Sequence, residues 1–189
     1  LGLPGGAYLY QGEELGLPDG IDIPDTRRQD PTFARTGGER LGRDGCRVPL
    51  PWRAGELHAG FGDGQDPWLP QPDSFAGLAR DLQSASPSSH LSLYKRMLDL
   101  RRGLELGRGS LSWYEELCTD TSLAFLNGTT LVLLNTGSEP LDIPAGRVML
   151  RSSTRPGSGY ATEDMSSTGD QLSSGETVWL ETYIEDTEG

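Results

Sequence analysis

The residues best suited to chemistry lie in one short loop, residues 42–52, with the sequence GRDGCRVPLPW. Two arginines, an aspartate and a tryptophan stand there among prolines and glycines, without helix or strand periodicity. Because proline fixes the backbone and glycine permits unusual dihedral angles, we expect a rigid, irregular loop. Guanidinium groups donate several directed hydrogen bonds and an indole packs on apolar ring faces, which suits a polyhydroxylated ligand. An ion pair between Arg43 and Asp44 that only braces the loop explains the same residue types equally well.

A second candidate for chemistry is the adjacent carboxylate pair Glu13 and Glu14. A retaining glycosidase needs two carboxyl groups about 5–5.5 Å apart on opposite sides of one bond. Adjacent residues of an extended segment point to opposite faces, so these two cannot bracket the same bond. We therefore predict a structural role, in which one of them caps or braces neighbouring loops, for instance by pairing with an arginine.

The remaining reactive side chains do not form a recognisable active site. His58 and His90 have neither a nucleophile elbow nor metal-ligand spacing around them, so both are predicted to be solvated. Cys46 and Cys118 are expected to be reduced thiols, although a bridge between them is compatible with the sequence. No phosphate loop or dinucleotide fingerprint is present. We expect no catalytic residue, metal ion or cofactor in this chain, and a cytoplasmic location.

The overall charge restricts the possible partners. The chain of 189 residues carries a formal net charge of -12, whereas binding to nucleic acid or to an anionic membrane surface requires clustered cations. No apolar run is long enough to span a bilayer. We expect neither nucleic acid nor a membrane as a partner, and a neutral ligand such as a sugar is compatible with the charge.

The secondary-structure elements that position the 42–52 loop are predicted from hydrophobic periodicity and from the positions of glycine, proline and polar residues. Residues 7–10 (AYLY) are expected to form a strand covered on both faces, as in a parallel sheet, and polar residues follow it at once, as in a barrel strand that carries functional groups. Residues 18–72 lack periodicity but contain four large aromatics, which favours an ordered, functional loop. A short helix is expected over 74–83. A longer helix is predicted over 88–102, where apolar residues recur every three or four positions.

The second half of the chain has the pattern of a small antiparallel β domain. An Asn127-Gly128 hairpin signal lies between two strands. A surface loop is expected over 152–174 and a disordered acidic tail over 183–189. The domain boundary is predicted after residue 107, giving domains 1–107 and 108–189. The predicted strands cover residues 111–114, 123–126, 130–134, 141–143, 147–150 and 177–180.

Several of these motifs together resemble one family, the α-amylase-type glycoside hydrolases (family 13), in its α-glucosidase and oligo-1,6-glucosidase branch. Residues 4–16 (PGGAYLYQGEELG) are similar to the eighth barrel strand and its following loop, and residues 42–52 to the loop motif G/S-R-D-x-x-R-T-P-M-Q/P-W. The helix over 88–102 is similar to the last barrel helix. The resemblance implies an α/β plus β fold: the terminal strand and helix of a (β/α)8 TIM barrel, followed by a small antiparallel β-sandwich.

The resemblance also implies an activity. The family hydrolyses terminal α-glucosidic bonds of short oligosaccharides with retention, so an α-linked gluco-oligosaccharide is the implied partner. The family's aspartate nucleophile, glutamate acid/base and stabilising aspartate lie on barrel strands four, five and seven, which would precede Leu1. We therefore expect a C-terminal fragment that lacks the catalytic carboxylates, is inactive alone and needs the remainder of the barrel.

At the level of residues, the resemblance assigns substrate binding to Arg47, which matches the arginine that hydrogen-bonds the nonreducing glucose. The alternative hypothesis is a non-catalytic carbohydrate-binding or interaction module built on residues 108–189, which would present a row of exposed aromatics. The preference for α-1,4 or α-1,6 bonds stays open. The side chains expected to brace the loop are Arg43, Asp44, Trp52, Glu13 and Glu14.

Overall fold

The structure is a computed structural model that describes residues 1–153, 165–166 and 169–182. The chain divides into two compact units. One unit combines residues 1–8 with the chain from Leu93 onward, and the other comprises Leu9–Ser92. Each unit has hydrophobic core residues of its own.

The unit 9–92 contains helices and loops but no strand. Its core is formed by Ile23, Val48, Leu69 and Phe75.

The α-helices of the described chain are α1 (Pro31–Arg35), α2 (Arg80–Ala85) and α3 (His90–Gly103). The 3-10 helices are Glu13–Leu15, Asp25–Arg27, Gly45–Arg47, Leu57–Gly60, Asp73–Leu78, Leu106–Arg108 and Glu115–Leu117.

The other unit is built on antiparallel β structure. Six strands form one sheet in the order β1-β2-β3-β8-β5-β6, and β4 pairs with β7. All described pairings are antiparallel. The strands are β1 (Leu111–Trp113), β2 (Ser122–Asn127), β3 (Thr130–Asn135), β4 (Leu141–Asp142), β5 (Arg147–Arg151), β6 (Met165–Ser166), β7 (Gln171–Leu172) and β8 (Thr177–Glu181).

The central strand β3 packs against core residues on both of its faces. Neighbouring residues of a strand point to opposite faces of the sheet. Leu131 and Leu133 of β3 join one core cluster, while Val132 between them joins another. In the second cluster, Leu93 and Leu106 pack with Val132 and Trp179. The helix α3 therefore contributes its apolar side to the same core as the sheet.

The N-terminal residues are attached to this unit by side chains from distant parts of the sequence. Arg101 of α3 donates hydrogen bonds to the carbonyls of Leu1, Leu3 and Gly5. Asn127 Nδ2 donates to the carbonyl of Gly2 at 2.8 Å. The segment is thus fixed without forming secondary structure of its own.

Two predictions of secondary structure are confirmed. The long helix predicted over 88–102 is α3, and the hairpin around Asn127-Gly128 joins β2 and β3 with Asn127 opposite Thr130. No helix in the described chain is both long and apolar enough to cross a membrane. The domain boundary after residue 107 stays a prediction.

The prediction of a strand at residues 7–10 is wrong. These residues pair with no strand in the part of the chain that the structure describes, and the Tyr8 side chain is exposed, with a relative accessibility of 94%. A strand forms only where a neighbouring strand satisfies its amide and carbonyl groups. No barrel is closed by the residues described, and their sheets are antiparallel.

The helix predicted over 74–83 is broken at Ala79, which has an extended backbone with ψ 146°. This break frees the first amides of α2 for other acceptors. Arg80 N donates to the carbonyl of Pro51 at 3.0 Å, and Asp81 N donates to that of Trp52 at 3.1 Å. The start of α2 is therefore tied to the end of the 42–52 loop.

The surface loop predicted over 152–174 contains the short strands β6 and β7. Residues 154–164 and 167–168 of it lie outside the described residues. The acidic tail predicted over 183–189 also lies outside them.

A buried ion pair connects β5 to the segment that leads into β8. Arg151 Nε lies 2.7 Å from Glu176 Oε1, and Arg151 Nη2 lies 2.9 Å from Glu176 Oε2. Glu176 also accepts hydrogen bonds from Ser153 Oγ and Ser173 N. Burial raises the pKa of Glu176, but the hydrogen bonds from Arg151, Ser153 and Ser173 outweigh it and hold this pKa below its usual value.

We predict that Glu176→Gln lowers the free energy of unfolding by about 2 kcal/mol at neutral pH. The change removes the carboxylate nearest to the buried Arg151 guanidinium, at 2.7 Å, and leaves the more distant Asp170, at 3.5 Å. Since folding depresses the pKa of Glu176, its contribution is present above the ordinary value of 4.5 and is lost as the pH falls below it. Urea titrations of the wild type and of Glu176→Gln should show a difference in the free energy of unfolding that is smaller at acidic pH than at neutral pH.

The matched control is Glu181→Gln. Glu181 pairs with Arg147 at 2.9 Å, also between β5 and β8, but both side chains are about half exposed. Its loss should change the free energy of unfolding by less than about 1 kcal/mol. Equal losses in the two variants would contradict the assignment of a stabilising role to the buried pair.

Candidate functional site

The 42–52 loop is anchored in the core of the unit 9–92. Its 3-10 turn, Gly45–Arg47, is closed by a hydrogen bond from Arg47 N to the carbonyl of Asp44 at 3.0 Å. The next residue, Val48, is buried in the core beside Ile23 and Phe75. The backbone of Arg47 is therefore fixed on both sides.

Asp44 joins the loop to residues 29 and 30. Its buried carboxylate accepts hydrogen bonds from Gln29 N at 2.8 Å and from Asp30 N at 2.9 Å. None of the described ion pairs joins Asp44 to Arg43, contrary to the expected pairing, because the Asp44 oxygens bind backbone amides instead. Asp44 thus contacts another loop rather than its sequence neighbour.

Asp30 is the acceptor around which both arginines of the loop meet. Its Oδ2 lies 3.4 Å from Arg47 Nη1 and 3.5 Å from Arg43 Nε. The same Oδ2 accepts a hydrogen bond from Arg43 N at 3.1 Å. The other oxygen, Oδ1, caps helix α1 by accepting from Thr32 N at 2.9 Å.

Electrostatics favour the ionised form of Asp30. Its side chain is buried, with a relative accessibility of 2%, yet the pKa of this carboxyl is held well below its usual value. The hydrogen bonds from Thr32 are the largest cause, and those from Arg43 add to them, while burial opposes them. Asp30 is therefore a fixed negative charge beside two guanidinium groups.

Sequence reasoning missed Asp30, although a signal was available. An aspartate directly before a proline is the pattern of an N-cap followed by proline at the first helical position. Asp30-Pro31 fits this pattern. It predicts the capping hydrogen bond but not the two arginines, which follow 13 and 17 residues later.

Arg47 lines a pocket of about 260 Å³. Its side chain is partly exposed, with a relative accessibility of 32%, whereas that of Arg43 is 75%. Within the described residues, the Arg47 side chain has one protein acceptor, Asp30. The other N–H groups are thus available for a ligand. The pocket is also lined by Gln11, Trp52, Phe61 and Trp68, together with aliphatic side chains.

The remaining predicted site residues, Trp52, Glu13 and Glu14, make different local contacts. Trp52 has a fixed backbone, because its amide donates to the carbonyl of Ala59 at 2.7 Å, and its ring faces the pocket that contains Arg47. Glu13 and Glu14 accept hydrogen bonds at 3.0 Å from Tyr10 N and Gly12 N. The two carboxylates therefore hold the turn in which they lie. Their bracing of neighbouring loops stays a prediction.

The histidines and cysteines differ in their surroundings. His58 is not solvated as predicted, because its side chain is mostly buried and its Nε2 lies 3.6 Å from Asp66 Oδ1. His90 is exposed. Cys46 and Cys118 are both free thiols, so the alternative of a bridge between them is not realised. Among the residues described, no group of three or more His, Cys, Asp or Glu side chains could hold a metal ion.

The aromatic residues of the β half bear on the alternative of a binding module. Trp113 is exposed, whereas Phe125 and Trp179 are buried in the core. Tyr160 and Tyr183 lie outside the described residues. The alternative stays a prediction.

Comparison with known proteins gives one matching family. The sequence model described as "Alpha amylase, catalytic domain" matches residues 1–107. A salivary alpha-glucosidase of Aedes aegypti is 30% identical over 159 residues, which cover 81% of this chain and 27% of that protein. A probable alpha-glucosidase of Rhizobium meliloti (strain 1021) is 35% identical over 117 residues, covering 61% of this chain and 20% of the relative.

A solved alpha-glucosyl transfer enzyme has a similar structure, with a TM-score of 0.69 and 27% sequence identity. The similarity covers 91% of this chain and 32% of that enzyme. The chain thus spans 20–32% of the length of these three proteins.

We predict that Asp30→Asn destabilises the unit 9–92 at neutral pH, because it removes the charge that Thr32, Arg43 and Arg47 contact. Since folding depresses the pKa of Asp30, its contribution is present above the ordinary value of 3.8 and decreases as the pH falls below it. Urea titrations of both proteins should show a stability difference that is constant near neutrality and narrows below pH 3.8. A difference that is absent at neutral pH, or that widens in acid, would contradict this assignment.

Proposed function

Because the chain belongs to the alpha-amylase family of glycoside hydrolases, we propose that it is part of a retaining α-glucosidase that hydrolyses terminal α-glucosidic bonds of short oligosaccharides. The names of the Aedes and Rhizobium relatives support this choice of substrate bond. The observation that carries the proposal is Arg47, which is held by a buried carboxylate beside a pocket lined with aromatic rings.

In this proposal, Arg47 binds the terminal glucose. A guanidinium has five donors in a fixed planar arrangement, so it can bond to Asp30 through Nη1 and still donate to two vicinal hydroxyls. The Asp30 contact holds the fork in one orientation before the sugar arrives. Binding the ring in this way fixes the anomeric carbon relative to the catalytic groups, which lowers the entropic part of the barrel enzyme's reaction barrier.

The hydrolysis itself requires two carboxyl groups about 5–5.5 Å apart. We place these groups, and the carboxylate that stabilises the transition state, in a part of the barrel outside this chain. The chain then supplies substrate positioning, and Arg43, Asp44, Trp52, Glu13 and Glu14 support the positioning loop. The substrate class in the proposal is an α-linked gluco-oligosaccharide.

The architecture proposed for the complete enzyme is a (β/α)8 barrel with a following β domain. Helix α3 would then be the last barrel helix, and residues 108–189 a small antiparallel β-sandwich. The family match that ends at residue 107 supports the boundary.

A cytoplasmic location is part of the proposal. The two free thiols are compatible with a reducing compartment.

In the enzyme that contains this chain, Arg47→Lys should lower kcat/KM for an α-glucoside about 100-fold. Lysine keeps the charge but replaces the planar fork by a single ammonium, so charge-assisted hydrogen bonds to the sugar are lost. The matched control is Arg43→Lys, because Arg43 contacts the same Asp30 Oδ2 but is more exposed. Its effect should stay below about threefold. Equal losses would indicate that Arg47 acts only as a brace.

The purified 189-residue chain should release no glucose from an α-glucoside, because the proposal places the catalytic carboxylates elsewhere. A glucose assay with the complete enzyme as the positive control measures this directly. Glucose release by the isolated chain, at a rate that survives repurification, would refute the assignment of catalysis to other parts of the barrel.

A further inference from the structure

We propose that His58 and Asp66 form a pH-dependent clamp on the loop 61–66 of the unit 9–92. When His58 is protonated it attracts the Asp66 carboxylate and holds the loop in the conformation described, and loss of the proton releases the loop. The two side chains line a pocket of about 380 Å³. Neither of them lines the pocket that contains Arg47, so the inference does not depend on the proposed function.

The contact between the two side chains is one that depends on charge. His58 Nε2 lies 3.6 Å from Asp66 Oδ1, whereas hydrogen bonds from nitrogen to oxygen are about 2.7–3.2 Å long. At this distance the two groups attract each other chiefly as an ion pair, and the imidazole is a cation only when both of its nitrogens carry protons. Histidine is the side chain that ordinarily changes its charge between about pH 5 and pH 8. The attraction is therefore present in mild acid and lost in mild base.

The His58 side of the clamp is held in place by a strained turn. His58 and Ala59 have positive φ angles of 52° and 50°, which residues with a Cβ rarely adopt. The Ala59 carbonyl accepts hydrogen bonds from Trp52 N at 2.7 Å and from Arg53 N at 2.8 Å. Ala59 is buried, and the accessibility of the His58 side chain is 18%. The imidazole is thus fixed to the body of the unit.

The Asp66 side of the clamp has far fewer contacts. Its side chain is exposed, with a relative accessibility of 88%. Phe61 N, at the start of the loop, donates to the His58 carbonyl at 3.1 Å, but no hydrogen bond within the described part of the chain involves residues 62–65. Gly62 and Gly64 have positive φ angles of 81° and 99°, so they allow backbone changes that other residues resist. The loop therefore depends on its contact with His58.

The charged groups that face His58 include a cation and a second carboxylate. In the described lining of the pocket these are Arg27 and Asp73. Arg27 Nη2 donates to the carbonyl of residue 67, directly after the loop, at 2.9 Å. Glu56 is close to His58 in sequence but pairs with Arg53 at 2.8 Å. Two carboxylates thus face one guanidinium in the pocket, and a proton on His58 balances their charges.

Hydrogen exchange of the loop amides tests the clamp in the enzyme that contains this chain. Protection of residues 61–66, corrected for the intrinsic pH dependence of amide exchange, is measured at about pH 5.5 and about pH 7.5, on either side of the ordinary histidine titration. We expect protection to be about threefold higher at the acidic pH, because an ion pair with one exposed partner contributes less than about 1 kcal/mol.

Three variants make the measurement specific. Asp66→Asn removes the anion at an exposed position, and His58→Gln removes the titrating group, so each should give equal protection at the two pH values. The matched control is Asp63→Asn, which removes a carboxylate of the same loop that has no ion pair among the described residues. It should keep the threefold difference.

Two results would overturn the clamp. One is a wild-type loop whose corrected protection is the same at both pH values. The other is a pH-dependent protection that persists in Asp66→Asn, since the cation on His58 would then act without its partner. A difference that is present in the wild type and in Asp63→Asn, and absent in Asp66→Asn, is the result expected.

Discussion

The arrangement of the candidate site depends on one constraint: the buried carboxylate of Asp30 must be surrounded by donors. A buried ion without partners is unfavourable by several kcal/mol, and this one is held by Thr32, Arg43 and Arg47. Thr32 belongs to helix α1, and both arginines belong to the 42–52 loop. Satisfying a single anion therefore fixes the start of helix α1, the start of the 42–52 loop and the orientation of Arg47.

This constraint matters because the unit 9–92 has no strand in which hydrogen bonds could be satisfied in a regular way. Its loops are instead joined by buried polar side chains. Asp44 binds the amides of residues 29 and 30, and Gln83 donates to the carbonyls of Leu15 and Leu78. The backbone groups of irregular segments are satisfied by such contacts. An ordered loop of this length is consistent with a binding role, since long loops without secondary structure are otherwise uncommon.

The parts of the fold that the sequence predicted are those that depend on local patterns. Helix α3 follows from apolar residues at three- and four-residue spacing, and the β2–β3 hairpin follows from Asn127-Gly128 between two apolar runs. The strand at residues 7–10 was predicted wrongly, because its composition is that of a strand but its formation needs a neighbour. The sequence does not reveal whether a neighbour is available.

In the candidate site, too, only the features that depend on a local sequence pattern could be predicted. The motif around Arg47 could be recognised, whereas the role of Asp30 could not, because its two arginines lie 13 and 17 residues away in a region without periodicity. The aromatic pocket was missed for the same reason. Phe61 and Trp68 belong to a long loop without periodicity, and the structure places both in the lining of the pocket that contains Arg47. Contacts of this kind depend on tertiary structure.

The most direct test is a crystal structure of the complete enzyme with glucose bound. If Arg47 binds the terminal sugar, two of its guanidinium N–H groups will lie within hydrogen-bond distance of vicinal hydroxyls while Nη1 remains on Asp30 Oδ2. Glucose bound without contact to Arg47, with the guanidinium still on Asp30, would show that this arginine is a structural brace and would contradict the proposed role.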